Sequence, residues 1–368
     1  MAGLPDEITA DILLRLPAKS LVRFRCVCKS WNSLLASTSF VEAYRDRWSK
    51  SGDRYLLKYD TNGSSRVGIY ELGSHSLASL DPSFNANNGR YEIVSSSNGI
   101  VCLSTYDEND YTGSEIFLWN PSTNERRRLP RPHFLVSELI GFGFGFDPSS
   151  GGGHLGDFKV VNVRTESGFF MGRCSQVEVY SLRRNSWKPI SEAFPCGIDP
   201  ECLGNQVAFR NFVCWSYQYD ASLVLFDLVE EVFHRMVLPL SMRAVTEHIS
   251  LFDGCLSLIA WKPSCHSREV WIMKEFGTVE PWTKLYTIDL SSASSALSQY
   301  SPLGFADSRG IILFVRSSSS GGQQLVSYDV ETARFEELGV EVDSVRSCRL
   351  VAYTQSLVSL MNTQTTNS

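Results

Sequence analysis

The 368-residue chain is predicted to be an α+β multidomain protein, with a small all-α helical bundle followed by an all-β propeller of about six blades. Apolar residues recur at helical spacing in the first fifty residues, and a pattern of roughly fifty residues recurs through the remainder. The 8 Trp, 14 Tyr and 21 Phe suit pleated sheets. The predicted boundaries are 1–48 for the bundle, 49–360 for the propeller and 361–368 for a disordered tail.

The bundle is predicted to hold three or four short helices. Ile8, Ile12, Leu13 and Leu16 fall on one face of the first helix, which Pro17 ends. So small a module barely offsets the entropy of its own chain, and such modules often leave an apolar face for a partner to cover. We therefore expect the bundle to be a binding module.

The later helices of the bundle follow from similar signals. Ser20 is expected to cap the second helix, and Trp31 lies in the third. A fourth helix is predicted between Phe40 and Trp48. Val27 and Trp31 are expected to pack inside the bundle.

Four segments of this region resemble the F-box motif from end to end. They are Leu4-Pro5-Asp6-Glu7-Ile8, Ile12-Leu13-Leu14-Arg15-Leu16-Pro17, Lys19-Ser20-Leu21-Val22-Arg23 and Cys26-Val27-Cys28-Lys29-Ser30-Trp31. The resemblance implies that the bundle binds the Skp-family adaptor, which connects F-box proteins to a cullin scaffold. The implied adaptor-binding residues are Leu4, Pro5, Ile8, Ile12, Leu13, Leu16, Pro17, Leu21 and Val22.

Some of these positions have a second interpretation. Ile12 and Leu13 fit the core of the bundle as well as they fit an interface with a partner. Arg23, Arg25 and Lys29 form a basic patch that suits an acidic adaptor, and they fit an ordinary solvated face equally well.

The propeller is predicted from a repeat in which a turn with glycine precedes an apolar strand and, about twenty residues later, an aromatic strand. The turns are Ser51-Gly52, Asn98-Gly99, Gly156-Asp157, Gly204-Asn205, Asp253-Gly254 and Arg309-Gly310. Three copies place a second aromatic residue after six intervening positions, which resembles the kelch spacing. These pairs are Tyr180 with Trp187, Phe226 with Phe233, and Tyr328 with Phe335.

The repeat is degenerate. The unit around Trp271 breaks the aromatic spacing, so the number of blades predicted ranges from five to seven. The alternation in 349–353 predicts a final strand that closes the ring, which would remove exposed sheet edges.

Several segments of the body are similar to the plant F-box-associated domain. Among them are Ser96–Cys102, Trp119–Thr123, Gly143–Asp147, Val177–Leu182 and Val270–Gly277. The resemblance is to F-box/kelch-repeat proteins of the "constitutive expresser of PR genes" type and, more distantly, to S-locus F-box proteins.

Charge and composition limit the classes of partner. The net charge is −6, divided between about +3 in residues 1–50 and about −9 in the rest, so no nucleic-acid partner is expected. No apolar run reaches the ~18 residues of a membrane span, and the first residues lack a signal-peptide pattern. The 10 Cys lack C-x-x-C spacing, which favours buried thiols in the cytoplasm or nucleus.

No motif for catalysis, metal or cofactor binding is found, so none of these is expected. The glycines of Gly141–Gly145 lack the spacing of a phosphate-binding loop and are predicted to lie in a strand. Cys26 and Cys28 fall in a helical core pattern, which argues against a catalytic thiol.

These features predict the substrate-recognition subunit of a ubiquitin ligase complex, with no catalysis of its own. The alternatives are an F-box protein that acts outside a ligase, as a scaffold or competitive binder, and more remotely a propeller enzyme with an unrelated helical bundle. The substrate protein is unknown, and its candidate binding loops are 105–115, 149–157, 164–175 and 262–268.

Overall fold

The computed structural model describes most of the chain. The described residues are 5–49, 54–71, 76–80, 91–107, 110–133, 141–149, 156–165, 175–191, 194–195, 198, 202–217, 221–239, 245–262, 267–276, 282–289, 300–307, 309–318 and 321–361. Leu4 lies outside them, as does the predicted tail apart from Met361.

Four short helices occupy residues 5–49. They are α1 (Asp6–Leu14), α2 (Ala18–Phe24), α3 (Lys29–Ala36) and α4 (Thr38–Ser49). Pro17 directly precedes α2, so Ser20 lies inside the helix and the prediction that it caps α2 is wrong. The core of the bundle consists of Leu13, Ala18, Leu21, Leu35, Phe40, Val41 and Tyr44.

The strands in the described residues form six four-stranded antiparallel sheets, which are the blades of a propeller. Blade 1 holds β1 (Arg54–Thr61), β2 (Ser64–Glu71) and β3 (Ser76–Leu80), and blade 2 holds β4 (Tyr91–Ser97), β5 (Ile100–Asp107), β6 (Asp110–Asn120) and β7 (Glu125–Arg128). Blade 3 holds β8 (Phe142–Asp147), β9 (Asp157–Thr165), β10 (Ser175–Ser181) and β11 (Ser186–Ile190).

Blades 4 to 6 repeat this order. Blade 4 holds β12 (Leu203–Phe209), β13 (Phe212–Tyr217), β14 (Ser222–Asp227) and β15 (Val232–Val237). Blade 5 holds β16 (Val245–Phe252), β17 (Cys255–Lys262), β18 (Ser267–Met273) and β19 (Trp282–Asp289). Blade 6 holds β20 (Tyr300–Phe305), β21 (Ile311–Ser317), β22 (Gln323–Asp329) and β23 (Arg334–Val342).

The last strand of the chain completes the first blade. β24 (Arg349–Ala352) pairs with β1, where Arg349 lies opposite Lys58 and Ala352 opposite Tyr55. β24 contacts β4 and β20, and the first strands of the other blades contact one another in the same way, so these strands surround the axis. The six blades, the closing strand and the N-terminal helices confirm the predicted fold class.

The repeat was predicted with one turn misplaced. Gly204 lies within β12, and the turn between β12 and β13 is Arg210-Asn211, where Arg210 has a φ of 54°. The turn predicted at Ser51-Gly52 lies outside the described residues. Sequence spacing could not detect a turn without glycine.

The aromatic pairs of the repeat lie directly opposite each other on the third and fourth strands of their blades. The ring centroids are 5.4 Å apart for Tyr180 and Trp187, 4.7 Å for Phe226 and Phe233, and 4.7 Å for Tyr328 and Phe335. The unit around Trp271 lacks this aromatic pair, and its third strand, β18, has a register shift between Val270 and Trp271.

The glycine-rich segment forms β8, as predicted, and its glycines allow two blades to approach closely. A Cβ on Gly143 would lie 2.5 Å from Val213 Cγ1 and 2.6 Å from Trp215 Cζ2, and a Cβ on Gly145 would lie 2.6 Å from Leu228 Cδ1. These neighbours belong to or follow strands of blade 4, so the glycines have a packing role rather than a phosphate-binding one.

Substitution of Gly99 by alanine should destabilise the protein more than the same substitution at Gly63. Both glycines follow an Asn in a two-residue turn and have positive φ, 78° and 71°, so either alanine costs about 1–2 kcal/mol. A Cβ at Gly99 would also overlap the carbonyl oxygen of Thr354 and the side chain of Ser356, whereas Gly63 faces open space. In thermal unfolding, we expect Gly99→Ala to lower the free energy of unfolding by about 1–3 kcal/mol more than Gly63→Ala does. Equal losses of stability in the two variants would contradict the close contact at Gly99.

Candidate functional site

The predicted adaptor-binding residues differ in exposure. Pro5, Ile8, Ile12 and Pro17 are exposed, Leu16 and Val22 are half-buried, and Leu13 and Leu21 are buried. Leu4 lies outside the described residues. The structure thus divides the set between the surface and the core of the bundle, and contact with an adaptor stays a prediction for all nine.

Two isoleucines form an apolar patch on α1. Ile8 and Ile12 are four residues apart, so they are neighbours on one face of the helix. Their exposed fractions are 49% and 46%, which is high for such large apolar side chains. Leu13, one position further round the helix, points inward and is buried. Of the two residues with an open interpretation, Ile12 faces solvent and Leu13 belongs to the core.

The turn after α2 exposes residues that were predicted to be buried. Val27 is 60% exposed, and Cys26 and Cys28 are exposed too, so the predicted burial of these three residues is wrong. The physical reason is that residues 25–28 follow the end of α2 as a turn, where helical periodicity no longer determines burial. Trp31 is half-buried, with its ring centroid 5.5 Å from that of Phe24.

The predicted basic patch is divided between exposed and half-buried residues. Arg23 and Lys29 are exposed, whereas Arg25 is half-buried and its Nη2 lies 3.5 Å from the carbonyl oxygen of Leu35. Arg25 therefore supports the bundle, while Arg23 and Lys29 are accessible to a partner.

A segment near the C-terminus lies between the bundle and the propeller. We call residues 353–361, which follow β24, the C-terminal strap. Leu357, Val358 and Leu360 of the strap are buried in the same hydrophobic cluster as Leu21 of the bundle and Phe146 of blade 3. The strap therefore shares one core with both domains.

Polar contacts also connect the strap to the bundle. Gln355 Oε1 accepts a hydrogen bond from the Ala18 amide at 2.9 Å. The Tyr44 hydroxyl lies 3.1 Å from Gln355 Oε1 and 3.1 Å from the Leu16 carbonyl oxygen. Burial raises the pKa of Tyr44, so this hydroxyl stays a protonated donor. The Gln355 side chain of the strap thus accepts hydrogen bonds from a backbone amide of α2 and from a hydroxyl of α4.

On the other side, the strap is held by the outer turn of blade 2. Asn120 is fully buried, and its Nδ2 donates to the carbonyl oxygens of Ser356 at 3.1 Å and Val358 at 2.8 Å. Glu125 Oε2 accepts from the Leu360 amide at 2.7 Å. These side chains satisfy backbone groups of a segment that, beyond the bond from the Tyr353 amide to the Arg54 carbonyl oxygen, pairs with no strand in the described residues.

Replacement of Gln355 by methionine should loosen the bundle from the propeller. The Ala18 amide would lose its acceptor in a buried position, which costs about 1–3 kcal/mol. Hydrogen exchange of the Ala18 amide should accelerate about tenfold or more, while amides of β13 keep their protection. Gln324→Met on β22 is the matched control, and unchanged exchange at Ala18 would contradict the proposed contact.

The central channel contains polar residues that sequence reasoning missed. The Asn205 side chain bonds both the amide and the carbonyl group of Ile249, joining blades 4 and 5. Burial, aided by the charge of Arg349, lowers the pKa of His248 to about 3, so this histidine is neutral at physiological pH. Burial also lowers the pKa of Arg349, to about 10, which leaves its guanidinium charged. No sequence motif marks these positions.

The described residues carry neither a metal site nor a membrane-spanning helix. Within the described ranges there is no group of three or more His, Cys, Asp or Glu side chains arranged to hold a metal ion. Among the helices in that part of the chain, none combines the length and hydropathy needed to cross a bilayer.

Comparisons with known proteins agree with this arrangement. Residues 1–42 match the F-box domain, and residues 72–360 match the F-box associated beta propeller domain. The F-box/kelch-repeat protein At3g23880 of Arabidopsis thaliana is 28% identical over 377 residues, covering 97% of this chain and 96% of the relative. F-box protein CPR1 of the same plant is 27% identical, covering 93% of this chain and 85% of the relative.

A solved structure supports the fold alone. TolB from Acinetobacter baumannii superposes with a TM-score of 0.50 and 10% identity, covering 86% of this chain and 72% of that one. The family is fixed by the domain match, which covers most of the chain and includes five of the six blades completely. The chain belongs to the plant-type F-box proteins that carry an F-box domain followed by an F-box associated β-propeller domain.

Proposed function

We propose that this chain is the substrate-recognition subunit of a Skp–cullin–F-box ubiquitin ligase complex. In this role the F-box binds the Skp-family adaptor, and the propeller recruits a protein substrate for ubiquitination and proteasomal degradation. The observation that carries the proposal is an F-box with an exposed apolar patch, fixed to a propeller by a shared core.

The proposed adaptor interface is centred on α1. Ile8 and Ile12 supply the apolar anchors, and Pro5 adds an exposed apolar surface at the start of the helix. A helix face of this kind fits a hydrophobic groove, where a few anchors provide most of the affinity. Leu13 and Leu21 act indirectly in this proposal, because they are buried and hold α1 and α2 in place.

The contribution to the reaction is proximity rather than catalysis. A substrate held on the propeller brings its lysines to the ubiquitin-charged enzyme at a high effective concentration. A rigid connection between the two domains favours this role, because a fixed span limits the positions that the substrate samples. The C-terminal strap supplies such a connection. Free thiols at the described cysteines support a cytoplasmic or nuclear location.

Affinity purification of the tagged full-length chain tests the proposal. We expect the adaptor and a cullin to co-purify, and expect substrate proteins to accumulate in the eluate when the proteasome is inhibited. Adaptor without cullin would instead support a non-ligase scaffold or competitive binder. Absence of both would reject the proposed role, and turnover of a small molecule by the isolated chain would favour an enzyme.

A further inference from the structure

The two faces of the propeller have different neighbours. In blades 2 to 6, the first and third strands end, and the second and fourth strands begin, on one face of the propeller. The strap contacts this face, through the turn at Gly99 and the turn that follows Asn120. In these blades the first and third strands begin, and the second and fourth strands end, at the opposite face. Of the predicted substrate loops, residues 108–109, 150–155, 166–174 and 263–266 lie outside the described residues.

A cavity of about 130 Å³ marks the mouth of the channel on the opposite face. It lies where the innermost strands begin, and its walls combine the apolar side chains of Ile93, Phe142, Leu203 and Trp215 with polar groups, among them Gln206. Among the described residues that line it, Arg349 alone is charged. A single cation among uncharged neighbours is the notable feature of this cavity.

The guanidinium of Arg349 has donors to spare. Its Nη2 donates to the carbonyl oxygens of Gln206 at 2.7 Å and Val94 at 3.4 Å. Among the described residues, Nε and Nη1 have no hydrogen-bond acceptor, and neither belongs to the fully buried side-chain atoms that lack a partner. These N–H groups therefore keep some exposure, so an anionic group in the channel could accept hydrogen bonds from them.

The carboxylate whose charge acts on Arg349, that of Glu92, is paired with another cation. Lys58 Nζ lies 3.0 Å from Asp60 Oδ1 and 2.7 Å from Glu92 Oε1, and the lysine is fully buried. Glu92 acts on Arg349 through its charge, but no ion pair joins their side-chain atoms in the described residues. Arg349 thus differs from Lys58 in having carbonyl oxygens as its hydrogen-bond partners.

The volume of the cavity and its single positive charge favour one chemical class of ligand. A volume of about 130 Å³ equals roughly four water molecules at about 30 Å³ each, enough for a carboxylate and the carbons beside it. A phosphate brings about two charges and three strong acceptor oxygens, and a single guanidinium would leave one of these charges unpaired. A carboxylate needs only one such partner.

We propose that this channel mouth binds a carboxylate of the substrate protein through the guanidinium of Arg349, with the apolar side chains of the walls contacting the neighbouring carbons. The inference rests on the proposed function, because it assigns a chemical class to the substrate that the propeller recruits. Two sources present this group in a form that enters so small a cavity. One is a free C-terminus, and the other is an Asp or Glu side chain on an extended segment.

The test presents the full-length chain, in complex with its adaptor, with four pools of random twelve-residue peptides. One pool has free C-termini and no Asp or Glu, one is amidated with Asp and Glu, one is amidated and neutral, and one is amidated with phosphoserine. We expect at least one carboxylate pool to be retained about tenfold or more over the neutral pool. The retained pool identifies whether the C-terminus or the acidic side chain is the ligand.

Three variants connect the retention to the cavity. Arg349→Gln should abolish it, whereas Arg316→Gln, a substitution that also removes a guanidinium from β21 on the same face, should leave it unchanged. Leu203→Trp fills the cavity while keeping the guanidinium and should also abolish retention, which covers the case in which Arg349→Gln fails to fold. Equal retention of the neutral pool, preference for phosphoserine, or retention that survives Leu203→Trp would overturn the proposal.

The outcome is independent of ligase assembly. Arg349→Gln and Leu203→Trp should co-purify with adaptor and cullin as the unmodified chain does, because Arg349 and Leu203 lie on the propeller face away from the bundle. If the complex assembles but no carboxylate pool is retained, this inference fails and the proposed function stands. If adaptor and cullin do not bind, the proposed function fails whatever the pools show.

Discussion

Removal of residues 349–361 should prevent the chain from forming a closed propeller. These residues supply β24, the innermost strand of blade 1, and the whole C-terminal strap. Without them β1 exposes an unpaired edge along the central channel, and blade 1 loses its contacts with the first strands of blades 2 and 6. We expect loss of the cooperative thermal transition and aggregation on size-exclusion chromatography.

A shorter truncation separates the two roles of this segment. Removal of 354–361 keeps β24 but deletes Leu357, Val358 and Leu360, whose burial contributes about 1.5–3 kcal/mol each. The ring should still close, while the bundle becomes susceptible to proteolysis at temperatures below the melting of the propeller. Removal of 362–368 leaves every strap contact described above in place and is the control. If the chain without 349–361 melts in the same way as the full-length chain, the role assigned to β24 is wrong.

The two domains were predictable from sequence for different reasons. The helical spacing of Ile8, Ile12 and Leu13 placed them on one helix, because periodicity reflects local geometry. The same periodicity could not determine which of these residues faces solvent, because that depends on where α4 and the strap pack. The repeat predicted six blades because it is carried by aromatic pairs such as Tyr180 and Trp187, which are only seven positions apart in the chain and lie opposite each other in the sheet.

The contacts that join the domains could not be predicted. Gln355 and Ala18 are 337 positions apart, and Asn120 and Val358 are 238 apart. A single Asn or Gln at such a separation has no periodic signal, and its role depends on the whole ring being closed. Arg349 was part of a predicted strand, but its position at the channel mouth depends on residues from four blades.

Replacement of both Ile8 and Ile12 by aspartate should abolish capture of the Skp-family adaptor while leaving the fold intact. Both side chains are about half exposed, so the substitutions bury no charge in the isolated chain, and the melting temperature should change by no more than about 2 °C. In a complex they would place two carboxylates in an apolar groove without partners. We expect the dissociation constant to rise at least about a hundredfold, as measured by calorimetry with purified adaptor.

Two further variants distinguish an interface from a structural effect. Val237→Asp alters an apolar residue of the propeller that is 53% exposed, and it should bind the adaptor normally. Leu13→Ala removes a buried side chain from the bundle, so it should lower the free energy of unfolding by about 2–5 kcal/mol. If the double aspartate variant binds with unchanged affinity, the exposed face of α1 is not the adaptor interface. If it loses binding only together with its thermal transition, the isoleucines support the fold of the bundle instead. Loss of binding with an intact transition is the result that an apolar interface on α1 requires.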